Sequence, residues 1–244
     1  MVRIAATTAS VMSIMSTPSA AMAKESGGYL AAGQAPDLTR ILPGPPAPGT
    51  PRANADAQVF RDTRRLLGTA RWDLATADVS SDLGARFAEA LGFRPDWGRL
   101  PLTRALIARF DADRSAAVGA AKAHWQSPRP FIGTDLPICE PRTAGLVANG
   151  DYPSGHTAHG WGFALLMAEL IPGRAQQILE RGRTYGESRY ICGSHTQSAV
   201  EGGYIAASAL MAREQADPLF RRDMAAAADE LAAYRRGLTS PSPR

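Results

Sequence analysis

Three short stretches of the chain gather side chains suited to holding a tetrahedral oxyanion. The first, Lys122 to Pro130, reads KAHWQSPRP and sets an ammonium seven residues before a guanidinium. Seven residues are two helical turns, so a helix ended by Pro128 places Lys122 and Arg129 on one face, with Arg129 projecting from its C-terminal margin. A compact point charge beside a forked planar donor suits phosphate. The second, Asp151 to Thr157, reads DYPSGHT and precedes an apolar run. Pro153 and Gly155 make a tight turn, Ser154 offers a hydroxyl and a helix cap, and the free N–H groups of the next turn favour an anion. His156 at that helix start can donate a proton near neutral pH. The third, Glu187 to His195, reads ESRYICGSH. There His195 can attack phosphorus as an imidazole nucleophile and Arg189 can neutralise the equatorial oxygens. Each stretch has an ordinary structural counterpart: a helix-ending Lys with a surface Arg, or a capping turn with an incidental His. Together, however, they contain three of the four His, and Lys122 is one of two Lys in a chain with 25 Arg. His159, three residues beyond His156, has no third ligand in view, so no metal site is read.

These residues need a scaffold, and the periodicity supplies helices. Helix formers with 3.6-residue spacing predict helices at about 53–77, 81–91, 101–126, 156–170, 173–187, 196–213 and 217–236. Alternating β-branched runs are absent, so the expectation is an all-α single domain. The Gly- and Pro-rich loops near 127–155 and 188–195 are expected to carry the chemistry. Tyr29 to Pro51, rich in Pro, Gly and Ala, reads as an extended arm lying on the body or free of it.

Composition bounds the partners. The chain has 244 residues, a formal net charge of +4 and 45% hydrophobic residues, enough for one sizeable core. Arg and acidic residues are interleaved, no basic stripe forms, and nucleic acid is not expected as a partner. Residues 1–23 carry Arg3, a mildly apolar run and Ala21-Met22-Ala23, the order of a secretory signal; a disordered N-terminus is the other reading. No other segment reaches the ~18 uncharged apolar residues of a membrane span. Cys139 and Cys192 either pair in an oxidising compartment or stay as two separate buried thiols.

At this point a resemblance enters. Lys122-x6-Arg129-Pro130, Pro153-Ser154-Gly155-His156 and Ser188-Arg189-x5-His195 resemble, in order and spacing, the three-part signature of the type-2 phosphatidic acid phosphatase superfamily. Tyr29-Leu30-Ala31, Asp37-Leu38-Thr39 and Arg189-Tyr190-Ile191-Cys192-Gly193 further resemble the bacterial class A non-specific acid phosphatases. The resemblance implies a single-domain helical bundle over 53–240, preceded by a signal over 1–23 and an arm over 24–52. It implies hydrolysis of phosphate monoesters, with His195 forming a phosphohistidine and His156 protonating the leaving alcohol. Lys122, Arg129, Ser154, Gly155 and Arg189 would bind substrate phosphate and the inorganic phosphate product, with no metal or other cofactor. Transfer to alcohols is an implied side activity. A periplasmic or secreted protein and a homo-oligomer, a dimer foremost, are further implications.

One position departs from the pattern. The family's third motif ends with an Asp four residues after the nucleophilic His, and here that residue is Ala199. An Asp there would fix the imidazole tautomer, and its loss in analogous triads slows turnover on the order of 10⁴-fold. Glu201 would serve only if His195 precedes the helix, and a backbone carbonyl is another substitute. The departure keeps a low-activity phosphate- or nucleotide-binding relative in view, and the shared motifs keep a vanadium-dependent haloperoxidase in view.

Overall fold

Short polar caps and left-handed residues punctuate a chain of helix formers and thereby fix its elements. The computed structural model describes residues 27–31 and 33–239, so the expected signal over 1–23 and Lys24 lie outside the described residues. In chain order the helices are α1 (Leu38–Ile41), α2 (Pro51–Thr63), α3 (Ala70–Ala77), α4 (Leu83–Arg86), α5 (Ala88–Leu91) and α6 (Pro101–Trp125). They continue with α7 (Ala144–Ala148), α8 (Gly155–Leu170), α9 (Ala175–Cys192), α10 (Gln197–Glu214) and α11 (Pro218–Thr239). No strand occurs among the described residues, and no helix there is long and apolar enough to cross a membrane. The fold is all-α.

Three expected helices change shape. The span 53–77 divides, because Arg64–Leu66 tighten into a 3₁₀ turn and Gly68 takes a left-handed φ of 79° before Thr69 caps α3. The span 81–91 becomes the one-turn helices α4 and α5 on either side of Phe87, closed by Gly92. The span 173–187 starts later and runs on to Cys192, so Arg189 is helical and not on a loop. Gly193, at φ 83°, ends α9 in a left-handed cap. A side chain there would also strike Arg64, whose guanidinium donates to the carbonyls of Ile191 and Cys192. A cation is thus seated at the negative end of the α9 dipole.

The core is built around α8, which packs against α9, α10 and α6, while α11 covers α6. Phe110 and Val118 of α6, Phe163, Leu166 and Met167 of α8, Ile178 and Tyr185 of α9, and Leu210 of α10 are buried together. Burying each such side chain contributes about 1.5–3 kcal/mol. Close approach of helices needs missing side chains at the crossings. A Cβ on Gly160 would lie 2.2 Å from the Tyr185 ring, and one on Gly203 would lie 2.7 Å from the Ser154 carbonyl oxygen. The arm lies on the body: Tyr29, Leu38 and Leu42 are buried, and the Tyr29 ring meets Phe220 edge-on at 5.1 Å. Cys139 and Cys192 form a disulfide, which pins the 127–155 loop to the end of α9.

Candidate active site

The ends of α6, α8 and α9 and the turn before α10 surround a cleft of about 680 Å³. Lys122, Arg129, Gly155, His156, Arg189 and His195 all line it. Lys122 and Arg129 reach it without sharing a helical face. The helix α6 stops at Trp125, Gln126 turns left-handed at φ 47°, and Arg129 follows in the loop. Pro128 cannot continue a helix and holds its predecessor out of the helical region, so the chain turns before the second charge arrives. Lys122 Nζ donates to the carbonyls of Asn149 at 3.0 Å and Gly150 at 2.8 Å. Arg129 Nη1 donates to the Ser194 carbonyl at 2.7 Å. Burial, with repulsion from Arg129, lowers the Lys122 ammonium to about 7.

Arg189 is 3% exposed and pairs with Glu140, which also accepts the Ser194 hydroxyl. Nε and Nη1 of Arg189 and Nε of Arg129 are buried without a hydrogen-bond partner. Buried cationic donors left unpaired are costly, and an anion in the cleft would satisfy them. Ser154 is fully buried and caps α8. Its hydroxyl oxygen accepts from the Thr157 N–H at 3.2 Å and the Thr157 hydroxyl at 2.9 Å, and its side chain does not line the cleft. The first-turn N–H groups of Gly155 and His156 have no acceptor within α8, as at any helix start.

The two imidazoles are held in defined tautomers. His156 Nε2 lies 2.7 Å from the Asp78 carbonyl, which can only accept, so Nε2 carries the proton and Nδ1 is free. Its ring stacks on Tyr185 at 4.7 Å, and Asp78 is itself fixed by Arg181 and Ser188. Burial, reinforced by Arg189, lowers His156 to about 3. Arg129 Nη1, only a donor, lies 3.1 Å from His195 Nε2, so Nε2 presents its lone pair. The proton is then on Nδ1, 2.8 Å from Asp151 Oδ1. Burial and the surrounding Arg129, Lys122 and Arg189 hold His195 well below the usual imidazole range, as the neutral base.

The chain as a whole is similar in sequence to several acid phosphatases. The acid phosphatase of Zymomonas mobilis is 43% identical over 209 residues, covering 84% of this chain and 79% of its own length. The non-specific acid phosphatase of Providencia stuartii is 34% identical over 209 residues, 84% of each chain, and that of Salmonella typhimurium is 34% identical over 195 residues, 78% of each. The PAP2 superfamily signature matches residues 107–214. The chain belongs to the PAP2 superfamily. Within it, the relatives just described are all named acid phosphatases.

Residues of this PAP2 member that spacing alone did not single out support the side chains lining the cleft. Asp151 was legible only as part of the turn before Ser154, yet it is 2% exposed and accepts from His195, the Thr196 N–H at 3.2 Å and the Thr196 hydroxyl at 2.6 Å. Glu201 does not reach His195; it pairs with Arg52. Asp78, Glu140 and Tyr185 come from distant segments and carried no local signal. At the rim, His159 Nδ1 and Arg114 Nε both meet Asp111 Oδ1, at 2.5 and 2.7 Å. Among the described residues no group of three His, Cys, Asp or Glu side chains has the placement to hold a metal ion.

Proposed function

We propose that this protein hydrolyses phosphate monoesters in two phosphoryl transfers through His195. The observation that carries the reading is the neutral His195 imidazole, with its Nε2 lone pair turned to a cleft lined by Lys122, Arg129 and Arg189. A substrate phosphate would take the unpaired N–H groups of Arg129 and Arg189 and the first-turn N–H groups of α8. As the Arg129 guanidinium turns to the phosphate oxygens, it unmasks Nε2 for attack on phosphorus.

In the first step the N–P bond forms and the bond from phosphorus to the ester oxygen breaks. The alcohol leaves with a proton from His156 Nδ1. A bound phosphate dianion offsets the repulsion of Arg189 and raises His156, so the proton arrives with the substrate. In the second step a water oxygen attacks phosphorus, the N–P bond breaks, His156 takes the water proton, and inorganic phosphate leaves. An alcohol in place of water gives phosphotransfer. The cationic side chains and helix N–H groups supply the charge neutralisation that Mg²⁺ supplies in other phosphoryl-transfer sites. The names of the relatives support the reaction class, and the disulfide fits an exported protein.

The deciding experiment is hydrolysis of p-nitrophenyl phosphate by the purified protein with a chelator present. The expected result is chelator-resistant turnover that His195→Ala abolishes, with ³²P retained on the wild-type protein after an alkaline quench. Turnover surviving in His195→Ala overturns the assigned nucleophile.

A further inference from the structure

The carboxylate that holds His195 stands where another residue could have delivered it. Thr196 caps α10, and its Oγ1 accepts the Ala199 N–H at 3.1 Å. Ala199 is therefore the third residue of the first turn, the position from which an acidic side chain reaches back to the cap residue's own N–H in a capping box. Here the Thr196 N–H is already taken by Asp151 Oδ1 at 3.2 Å, the oxygen that also accepts from His195 Nδ1. The remaining oxygen, Oδ2, accepts the Thr196 hydroxyl at 2.6 Å. The Ala199 methyl is fully buried, and the Ser154 N–H donates to the Ala199 carbonyl at 2.8 Å, laying the 151–154 turn against the first turn of α10. Both positions thus open onto one spot beside the Thr196 N–H.

We propose that positions 151 and 199 are two mutually exclusive seats for a single carboxylate, and that Asp151 is the positioning residue that holds His195 in its Nδ1–H tautomer. The tautomer claim stands on geometry; its effect on turnover rests on the reading of His195 as nucleophile. Emptying both seats leaves a half-buried cap N–H unpaired and the imidazole free to protonate at Nε2, the atom that must attack. Filling both crowds two carboxylates into one dry pocket, where like charges oppose each other. Ala199→Asp should therefore harm the wild-type protein and rescue a protein that lacks Asp151.

Four full-length proteins test this: wild type, Asp151→Ala, Ala199→Asp and the exchange Asp151→Ala with Ala199→Asp. Long-range ¹H–¹⁵N spectra of the free proteins report the His195 tautomer, and p-nitrophenyl phosphate kinetics report kcat and KM. The expected tautomer is Nδ1–H in wild type and the exchange protein, and Nε2–H or a mixture in Asp151→Ala. Turnover in Asp151→Ala should fall on the order of 10²- to 10⁴-fold with KM little changed, as for loss of the orienting acid in a triad. The exchange should recover at least tenfold of that loss, while Ala199→Asp alone should lower both turnover and melting temperature. Should Asp151→Ala fail to fold, Asp151→Asn, alone and with Ala199→Asp, replaces it. An exchange protein no better than the Asp151 variant in tautomer and kcat overturns the shared seat. Wild-type tautomer and kcat in that variant overturn the positioning role. If wild type itself fails to turn over the ester, the phosphatase reading falls and the tautomer comparison still decides this inference.

Discussion

Lys122 sits among the carbonyls of Asn149, Gly150 and Asp151, and burial together with Arg129 holds its ammonium near 7. Its charge in the empty cleft is therefore present in acid and lost in alkali. A bound dianion reverses the local repulsion and raises the same group, so above about pH 7 binding takes up a proton at Lys122 as well as at His156. Affinity for an oxyanion that does not titrate in this range, such as sulfate, should therefore fall more steeply above about pH 7 than below it, the Lys122 share reaching up to about tenfold per pH unit, the limit for one linked proton. Lys122→Met should bind sulfate more weakly at pH 5 and lose this pH dependence, as read by titration calorimetry. A level wild-type affinity from pH 5 to 9 would show that Lys122 does not titrate there. The sequence signalled the residue through its rarity, but not its charge state, which depends on a loop 27 residues further on.

Glycines at the crossings of α8, α9 and α10 set how closely these elements meet. Gly203 of α10 faces the Ser154 carbonyl, where an added Cβ would lie 2.7 Å from backbone that cannot rotate away. Gly203→Ala should force α10 off α8, cost about 1–3 kcal/mol in chemical unfolding and cut turnover by separating Ser154 from the α10 start. Gly119→Ala in α6, where no heavy atom from outside its own stretch of helix lies within 4 Å of the new Cβ, should instead stabilise by up to about 1 kcal/mol. Equal effects of the two substitutions would remove close packing as the cause. This division also explains what the sequence could disclose. Periodicity and caps announced α6, α8 and α10 to within a residue at each end, and the start of α11, because those signals are local. The overrun of α9 to Cys192 was hidden, because Arg64 satisfies the carbonyls at its end from 126 to 128 residues away. The same holds for the cleft: spacing located Lys122, Arg129, His156, Arg189 and His195, each inside its own motif. Asp151, Asp78 and Glu140 act across 44 to 78 residues, a distance at which only the fold makes them partners.

At the scale of the whole molecule, buried charge gathers not only in the cleft but also at a junction on the side of the arm. There Glu214, at the end of α10 and fully buried, faces Asp113 of α6, which also accepts the N–H groups of Tyr29 at 2.6 Å and Leu30 at 3.2 Å. Burial, followed by the repulsion of Asp113, raises the Glu214 carboxyl from the ordinary 4.5 to about 9. Below about pH 4.5 folded and unfolded chains both carry the proton, and the junction contributes its full stability. Between 4.5 and 9 the unfolded chain releases the proton and the folded chain keeps it, so stability falls by up to about 1.4 kcal/mol per pH unit. Above 9 two carboxylates face each other under the arm and the contribution is gone. Glu214→Gln keeps the shape but cannot ionise. Urea unfolding at pH 5, 7 and 9 should show wild type weakening as pH rises and the variant holding a flatter course, the two diverging most at pH 9 with unchanged m-values. Parallel curves would place the pH dependence elsewhere. Divergence would tie the stability of this junction to an acidic milieu, because the buried Glu214 of α10 lies beside the Asp113 carboxylate of α6 that holds the arm through the N–H groups of Tyr29 and Leu30.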